Sequence, residues 1–317
     1  MTQPLISFIT VNYNQTQLTL ELIESIYAYT KVPFEIIVVD NDSRESPKDI
    51  IVGKYPSVNV IVSGVNRGFA GGNNLGVASS NGQFLFFINN DAVLTEGAIE
   101  QLLASLDNPS VGVVSPLICY YPDDSQAADV IQYAGATNVH PITGRNTIIG
   151  ERQANRSQYY QSKPTFYAHG AAMLVKRSVL EKVGMMSEFF FLYYEELDWC
   201  EQIRRAGYTI LLEPNATVYH KESISVGKGN PLKTYYLTRN RILFMARNRT
   251  AGQYLLFSLF LFFVTLPKNI VSYLVKGDWA HLAAFCKGIW WNYRPNPERK
   301  TAVQSLRHPF QPALITT

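Results

Sequence analysis

The sequence predicts an α/β fold in which a parallel sheet carries helices on both faces. Short β-rich apolar runs alternate with helical patterns from residue 6 to residue 106, and this alternation is typical of right-handed βαβ units. Polar residues collect where the apolar runs end. A further stretch, apolar from Tyr254 onward, predicts a C-terminal helical region that associates with membranes.

The predicted elements of the first part follow in a regular order. We expect strands at Ile6–Val11, Glu35–Val39, Val58–Val62 and Gln83–Ile88, and helices at Gln15–Tyr29, Gly71–Ser79 and Gly97–Leu106. Residues 107–165 are polar and irregular, and we interpret them as an insertion. After them we expect a strand at Ala168–Val175, a helix at Ser178–Val183, an extended Phe189–Tyr194, a helix at Glu195–Ala206 and a last strand at Thr209–Leu212.

The overall composition is that of a folded intracellular protein. Of the 317 residues, 47% are hydrophobic and 17% are charged, which allows a sizeable core. The three cysteines lie far apart and form no CxxC pair, so neither a zinc knuckle nor a disulfide framework is indicated. The N-terminus lacks the basic segment of a signal peptide. We therefore expect the folded domain in the cytoplasm.

The charge is distributed unevenly along the chain. Residues 223–277 contain eight Lys or Arg and no acid, whereas residues 1–222 have an acidic excess. A basic segment beside an apolar one predicts contact with an anionic membrane surface. Nucleic acid is a less suitable partner because no nucleic-acid-binding motif is present.

Polar clusters follow four of the predicted strands. Asn12 follows the first, Asp40 ends the second, Asn66 lies beyond the third, and Asn89-Asn90-Asp91 follows the fourth. Ligands of open α/β sheets bind at the carboxyl ends of the strands, so four clusters on one edge indicate a site. The carboxylate of Asp91 suits a Mg²⁺ ion shared with substrate phosphates, but a turn or an N-cap explains it equally simply.

Two other motifs have a structural and a functional interpretation. The glycine-rich run 68–74 is neither GxGxxG nor GxxxxGK, which argues against a dinucleotide-binding or P-loop enzyme, and its glycines are also explained by close helix packing. Glu195, Glu196 and Asp198 fall at a helix start, where acids favour the macrodipole. Three acids beside an aromatic run indicate a general base above a sugar-binding floor. His220, after a strand, is either structural or a ligand of a diphosphate or metal.

In this order the motifs resemble the inverting family 2 glycosyltransferases of the GT-A fold, in particular their rhamnosyltransferase-like branch. The resemblance spans residues 6 to about 227 and implies a Rossmann-like mixed sheet. The matching segments are Thr10–Asn14, Val38–Ser43, Asn66–Asn73, Asn89–Asp91, His169–Leu174, Tyr194–Cys200 and His220. Two departures stand out: Asn89-Asn90-Asp91 replaces the metal-binding DxD, and Glu196 replaces the usual catalytic Asp.

The resemblance implies a role for each matching residue. The nucleotide would be bound by Thr10, Val11, Asn12, Asp40, Asn66, Arg67, Gly68 and Asn90. Glu196 would be the catalytic base, with His169, Glu195, Asp198 and Trp199 contacting the acceptor or supporting the site. Asp91 and His220 would hold a divalent cation, Mg²⁺ or Mn²⁺.

The expected activity is inverting transfer of a sugar in the synthesis of cell-surface polysaccharides. The donor would be dTDP-rhamnose or a UDP-hexose, and the acceptor a glycan or a lipid-linked saccharide. The catalytic domain would span residues 1–227, with a nucleotide half at about 1–106 and an acceptor half at about 107–227, followed by a helical region at 228–317. The alternative is a non-catalytic nucleotide- or carbohydrate-binding module. A nucleotidyltransferase is disfavoured because Val11–Asn14 lacks glycine and basic residues.

The residue pattern of the C-terminal region predicts a helix that lies on the membrane without crossing it. Tyr254–Leu266 is almost wholly apolar, but Pro267, Lys268 and Asn269 interrupt it, and a spanning helix needs about 20 apolar residues. Residue types that favour the headgroup region flank it; they are Arg239, Arg241, Arg247, Arg249, Trp279, Trp290, Trp291 and Tyr293. We expect a peripheral or monotopic protein on the cytoplasmic face of the cell membrane. A helix pair buried on the catalytic domain is the alternative.

Overall fold

A computed structural model describes residues 6–122, 129–221 and 229–305. The strands are β1 (Ile6–Asn12), β2 (Phe34–Asp40), β3 (Asn59–Val62), β4 (Phe84–Ile88), β5 (Ala92–Leu94), β6 (Val111–Tyr120), β7 (Ile131–Tyr133), β8 (Lys163–Thr165), β9 (Ala172–Lys176) and β10 (Thr209–His220). The helices are α1 (Thr16–Tyr29), α2 (Lys48–Lys54), α3 (Gly68–Ala78), α4 (Ala98–Ser105), α5 (Arg177–Val183), α6 (Glu195–Arg205), α7 (Pro231–Asn248), α8 (Ala251–Phe260), α9 (Leu266–Val275), α10 (Trp279–Tyr293) and α11 (Pro297–Gln304).

The strands form one mixed sheet in the order β3-β2-β1-β4-β9-β6-β10-β5, with β7 beside β6 and β8 beside β10. β3, β2, β1 and β4 are parallel, as the βαβ pattern predicts, but β9 is antiparallel to both β4 and β6. β9 starts at the edge where β4 ends, since the Asn89 amide donates to the Ala171 carbonyl. It therefore runs back across the sheet. The purely parallel sheet was wrong, and the mixed sheet implied by the resemblance is confirmed.

Helix α3 lies unusually close to the sheet. A Cβ added at Gly72 would come within 2.8 Å of Val11, and one at Gly76 within 2.5 Å of Ile9. Because these glycines fall four residues apart on one helix face, the helix can rest directly on β1. The close-packing interpretation of the glycine-rich run is confirmed.

The second half departs from the predicted elements. The segment expected to be irregular contains β6, most of it buried, and β10 is longer than predicted because it continues to His220. Phe189–Tyr194 is not extended. It begins with a 3-10 turn, Glu188–Phe190, and then takes left-handed backbone angles. One sheet runs through both predicted halves of the catalytic domain, and the proposed boundary at residue 227 lies outside the described residues.

The apolar tail is one continuous helix, Ala251–Val275, of 25 residues. It passes from α8 through a π-helical turn, Leu261–Thr265, into α9. The break expected at Pro267 was wrong, because the proline sits in the first turn of α9 and the Asn269 amide bonds the Thr265 carbonyl. By length and composition this helix could cross a membrane, and only 17% of its most apolar window is buried in the protein.

The arginines ahead of the tail face the catalytic domain. Arg247 pairs with Asp198 at 3.0 Å, Arg249 pairs with Glu201 at 2.8 Å, and Arg239 is buried. The prediction that these three flank the helix at a membrane was therefore wrong. Part of the positive charge of the basic segment instead neutralises acids of the acidic domain, which explains the uneven distribution of charge.

Candidate active site

The carboxyl ends of β1 and β4 are joined by a buried hydrogen-bond network. Asn12 Oδ1 accepts from Thr19 Oγ1 at 2.9 Å and from Asn90 Nδ2 at 3.4 Å, and Asn12 Nδ2 donates to Ser43 Oγ at 3.1 Å. Asn90 Nδ2 also reaches Thr19 Oγ1 at 3.1 Å. These amides hold the strand ends together, and their direct contact with a nucleotide stays a prediction.

Asp40 ends β2 beside this network. Its carboxylate is almost completely buried, and one oxygen accepts from the Ser43 amide at 3.1 Å. Thr10 is fully buried on the same face of β1 as Asn12, whereas Val11 points to α3 and packs on Gly72. Of the residues predicted for the nucleotide on β1 and β2, Asn12 and Asp40 thus reach the sheet edge.

Asn41 organises the predicted nucleotide loop, Asn66–Gly68, which we call the donor loop. Its Nδ2 donates to Asn66 Oδ1 and to the Gly68 carbonyl, both at 3.1 Å, and its Oδ1 accepts from the Arg67 amide at 2.9 Å. Asn66 and Arg67 are exposed at this edge. The sequence placed Asn41 in a polar cluster without giving it a role.

The donor loop touches the segment before α6 at Gly68. The φ angle of Gly68 is +68°, and a Cβ there would lie 2.0 Å from the Phe191 carbonyl oxygen. The Phe69 amide donates to that same oxygen at 2.8 Å. Only glycine permits this approach, which brings residues 66–69 and 189–194 into direct contact.

Asp91 and His220 lie together although the sequence separates them widely. Asp91 Oδ1 is 3.1 Å from His220 Nε2, and the Asn89 amide nitrogen is 3.2 Å from the same Nε2. His220 Nδ1 lies 2.8 Å from Gln132 Oε1, an acceptor, so the ring proton sits on Nδ1. Nε2 then accepts from the Asn89 amide and lies beside the Asp91 carboxylate oxygen.

This arrangement fits a cation ligand pair. A histidine that binds metal usually donates its other N–H to an oxygen, as His220 does to Gln132. Two acceptors face each other at 3.1 Å, which a positive charge between them would stabilise. Among the described residues no group of three or more His, Cys, Asp or Glu side chains could hold a metal. Substrate phosphates would have to complete the shell, as is usual for Mg²⁺.

His169 and Gly170 connect the predicted cation pair to the acids of α6. The rings of His169 and His220 are 6.2 Å apart, and burial together with His220 lowers the pKa of His169 to about 3. His169 is therefore neutral, and its Nδ1 accepts from the Ala171 amide at 3.1 Å. A Cβ on Gly170 would lie 3.9 Å from the Glu196 carboxyl carbon, so Glu196 faces this turn.

Glu195 and Glu196 form a carboxylate pair at the start of α6. Burial raises the pKa of Glu196 to about 7, and burial with the charge of Glu196 raises the pKa of Glu195 well above its ordinary value. Glu195 is the more buried, and its Oε2 has no hydrogen-bond partner among the described residues. We therefore expect Glu195 to keep its proton and Glu196 to be the group that ionises near neutral pH.

Asp198 and Trp199 lie deeper, in the core. The carboxylate of Asp198 receives two bonds from Arg247 at 3.0 Å and one from Asn248 at 2.6 Å. The Trp199 ring nitrogen donates to the Gly184 carbonyl at 2.8 Å. Both side chains are completely buried, so neither can contact an acceptor, and a supporting role is the one open to them.

The chain matches the protein family described as "Glycosyl transferase family 2" over residues 7–184. It is 27% identical over 246 residues to the low-salt glycan biosynthesis hexosyltransferase Agl10 of Haloferax volcanii, covering 75% of this chain and 74% of that protein. It is 25% identical over 216 residues to an N-acetylglucosaminyl-diphospho-decaprenol L-rhamnosyltransferase of Mycobacterium tuberculosis, covering 63% and 70% of the two chains.

Solved structures with the same fold include that of GalNAc-T7 with UDP, GalNAc and Mn²⁺. The TM-score is 0.59 at 15% sequence identity. The match covers 86% of this chain and 58% of that one, so the chain spans less than two thirds of that protein. At this identity the likeness concerns the fold.

Proposed function

Since the chain belongs to glycosyl transferase family 2 and has the GT-A fold, we propose that it transfers a sugar from a nucleoside diphosphate sugar to a saccharide acceptor with inversion. The donor is dTDP-rhamnose or a UDP-hexose, and the acceptor is a glycan or a lipid-linked saccharide of a cell-surface polysaccharide. The carrying observation is the Glu196 carboxylate, with a pKa near 7, facing the turn next to the Asp91–His220 pair. The transferred sugar and the lipid-linked acceptor are supported by the two relatives, a hexosyltransferase of glycan biosynthesis and an N-acetylglucosaminyl-diphospho-decaprenol L-rhamnosyltransferase.

The reaction in this proposal is a single displacement. The acceptor hydroxyl loses its proton to Glu196 as its oxygen bonds to the anomeric carbon, and the bond from that carbon to the diphosphate oxygen breaks on the opposite face. The nucleoside diphosphate leaves with the bonding electrons. Asp40 and the donor loop bind the nucleotide, and Asn41 keeps that loop in shape.

Asp91 and His220 are the residues that would hold a divalent cation. A bound cation supplies neutralisation of the diphosphate leaving group. Gln132 orients His220 for this role through the other ring nitrogen.

The decisive test is turnover by the purified full-length chain. dTDP-rhamnose, UDP-glucose and UDP-galactose are each incubated with the protein, and released nucleoside diphosphate is measured. We expect one donor to be hydrolysed slowly without acceptor and faster with a suitable saccharide acceptor, whose product anomeric configuration is read by NMR. Tight binding of a nucleotide with no turnover of any donor would favour the non-catalytic binding module.

We further propose that the protein docks on the cytoplasmic face of the membrane through the Ala251–Val275 helix. Phe263 is 77% exposed and Leu255 60% exposed along this helix, and Trp279 and Trp290 are exposed near it. Lys268 is exposed within the helix, and a charge at the bilayer centre is costly. An interfacial position, with the lysine at headgroup level, avoids that cost.

Phe263→Glu is expected to weaken sedimentation with vesicles of anionic phospholipid by about tenfold, because a charged side chain replaces an apolar one in the lipid contact. Ile50→Glu is the matched control, since Ile50 is 58% exposed on the catalytic domain. Truncation is less suitable, because Trp291 of α10 packs on Arg239 behind the site. Membrane docking would be contradicted if both variants sedimented equally with the vesicles. It would also be contradicted if the unmodified full-length chain did not sediment with them.

A further inference from the structure

The segment that leads into the carboxylate pair has an unfavourable backbone. We call residues 189–194 the base loop, because Glu195 and Glu196 follow it directly. Phe191, Tyr193 and Tyr194 have φ angles of 64°, 67° and 76°. Bulky residues rarely adopt such angles, which strain the backbone. Contacts from elsewhere in the molecule must therefore hold the loop in place.

Asn240 of α7 supplies those contacts. Its Nδ2 lies 2.9 Å from the Phe190 carbonyl oxygen, 2.7 Å from that of Leu192 and 2.8 Å from that of Tyr193. Its Oδ1 accepts from Arg239 Nη1 at 3.0 Å. Since a guanidinium only donates, this bond fixes which end of the amide faces the carbonyls. Asn240 is completely buried.

Arg239 extends the same clamp. Its guanidinium donates to the carbonyls of Phe189 at 2.8 Å and Phe190 at 3.2 Å, and it lies 3.9 Å from the ring centre of Trp291 in α10. The base loop is thus held by the helical C-terminal region, which lies outside the segment that matches the family.

The donor loop has a separate clamp. Asn41 binds Asn66, Arg67 and Gly68 without using any atom of α7. The two loops meet where the Phe191 carbonyl approaches Gly68 and receives the Phe69 amide. One asparagine therefore fixes the loop of the base, and another fixes the loop of the donor.

We propose that Asn240 is a positioning residue that holds the base loop, and through it Glu196, in the geometry required for transfer. This inference rests on the proposed function. It predicts that the two clamps have separable kinetic effects. Loss of the Asn240 clamp misplaces the base and lowers kcat, and loss of the Asn41 clamp weakens donor binding.

Asn240→Ala and Asn240→Asp test the clamp in the full-length chain. The Asp variant keeps the size of the side chain and the acceptor for Arg239 but has no N–H for the carbonyls. We expect kcat to fall by roughly 10- to 100-fold in both, since small misplacements of a reacting group have effects of this size. Donor affinity, measured by calorimetry with the nucleoside diphosphate, should change by less than about threefold. Asn41→Ala should show the reverse, with affinity about tenfold weaker and a smaller change in kcat.

Asn292→Ala is the matched control. Asn292 is also a buried asparagine of the α7–α10 contact, but its amide donates to the carbonyls of Arg239 at 2.9 Å and Gly288 at 3.0 Å and not to the base loop. It should lose thermal stability and keep its kcat. Hydrogen exchange should rise at residues 191–198 in the Asn240 variants and stay unchanged there in the control.

The outcomes separate the two proposals. If the wild type is active, two results would overturn the positioning role and leave the proposed function standing. One is an unchanged kcat in folded Asn240 variants, and the other is a fall in kcat of the same size in Asn292→Ala. No transfer by wild type refutes the proposed function and the role of Asn240 with it. If neither Asn240 variant folds while Asn292→Ala does, Asn240 belongs to the folding core and the inference is wrong.

Discussion

Replacing Glu196 by glutamine is expected to lower sugar transfer by roughly 10²- to 10⁴-fold, the usual effect of losing a general base. Glutamine keeps the size of the side chain but cannot take a proton. Donor binding should be unaffected, since the hydrogen bonds that hold the donor loop come from Asn41 and not from Glu196. Steady-state kinetics and calorimetry with the nucleoside diphosphate measure the two effects separately.

The pH dependence identifies the same carboxylate. A base must be deprotonated to act, and the pKa of Glu196 is raised to about 7. We therefore expect kcat to be lost as the pH falls through about 7. Glu196→Asp should keep part of the activity, because it retains the base on a shorter side chain. Activity in Glu196→Gln together with loss in Glu195→Gln would assign the reaction to the neighbouring acid.

Removal of divalent cations is expected to abolish turnover, with recovery on addition of Mg²⁺ or Mn²⁺. Neutralising the leaving diphosphate is worth several kcal/mol, or at least about 100-fold in rate. Asp91→Ala should reproduce the loss. It should also remove any strengthening of nucleoside diphosphate binding by Mn²⁺, which calorimetry detects independently of turnover.

Asp42→Asn provides the control for this prediction. Asp42 is an exposed acid at the same sheet edge, and its left-handed φ of 71° is one that asparagine tolerates. This variant should keep its cation requirement and most of its rate. Full activity of wild type in excess chelator would leave Asp91 and His220 with a structural role only.

The first part of the fold was predictable because its signals are local. β1 to β4 and the helices α1 and α3 follow apolar runs and helical spacing, and polar residues mark the strand ends, whereas the seven-residue helix α2 was not predicted. The meeting of Asp91 with His220 was accessible only through the family resemblance. No spacing rule links a residue after β4 to one at the end of β10, and their contact depends on how the later strands enter the sheet.

The side chains that hold the site in place were not predicted from the sequence, for a different reason. Asn240 binds backbone carbonyls 47 to 50 residues away, and carbonyls are present at every residue, so the sequence carries no mark of the contact. Asp198 was grouped with the functional acids because its partner, Arg247, lies 49 residues further on. Pro267, Lys268 and Asn269 were interpreted as a break because they interrupt the apolar run, whereas the helix continues through them after a π turn.

The carboxylate pair also ties the protonation of the protein to its folding equilibrium. Glu196 ionises at about 7 in the folded chain against about 4.5 for a free side chain, and Glu195 is shifted in the same direction. Between those values the folded state binds more protons than the unfolded state, so folding takes up protons and stability falls as the pH rises through 7. Ionisation of Glu196, which the reaction requires, thus lowers the free energy of unfolding. Catalysis and conformational stability therefore have different pH optima.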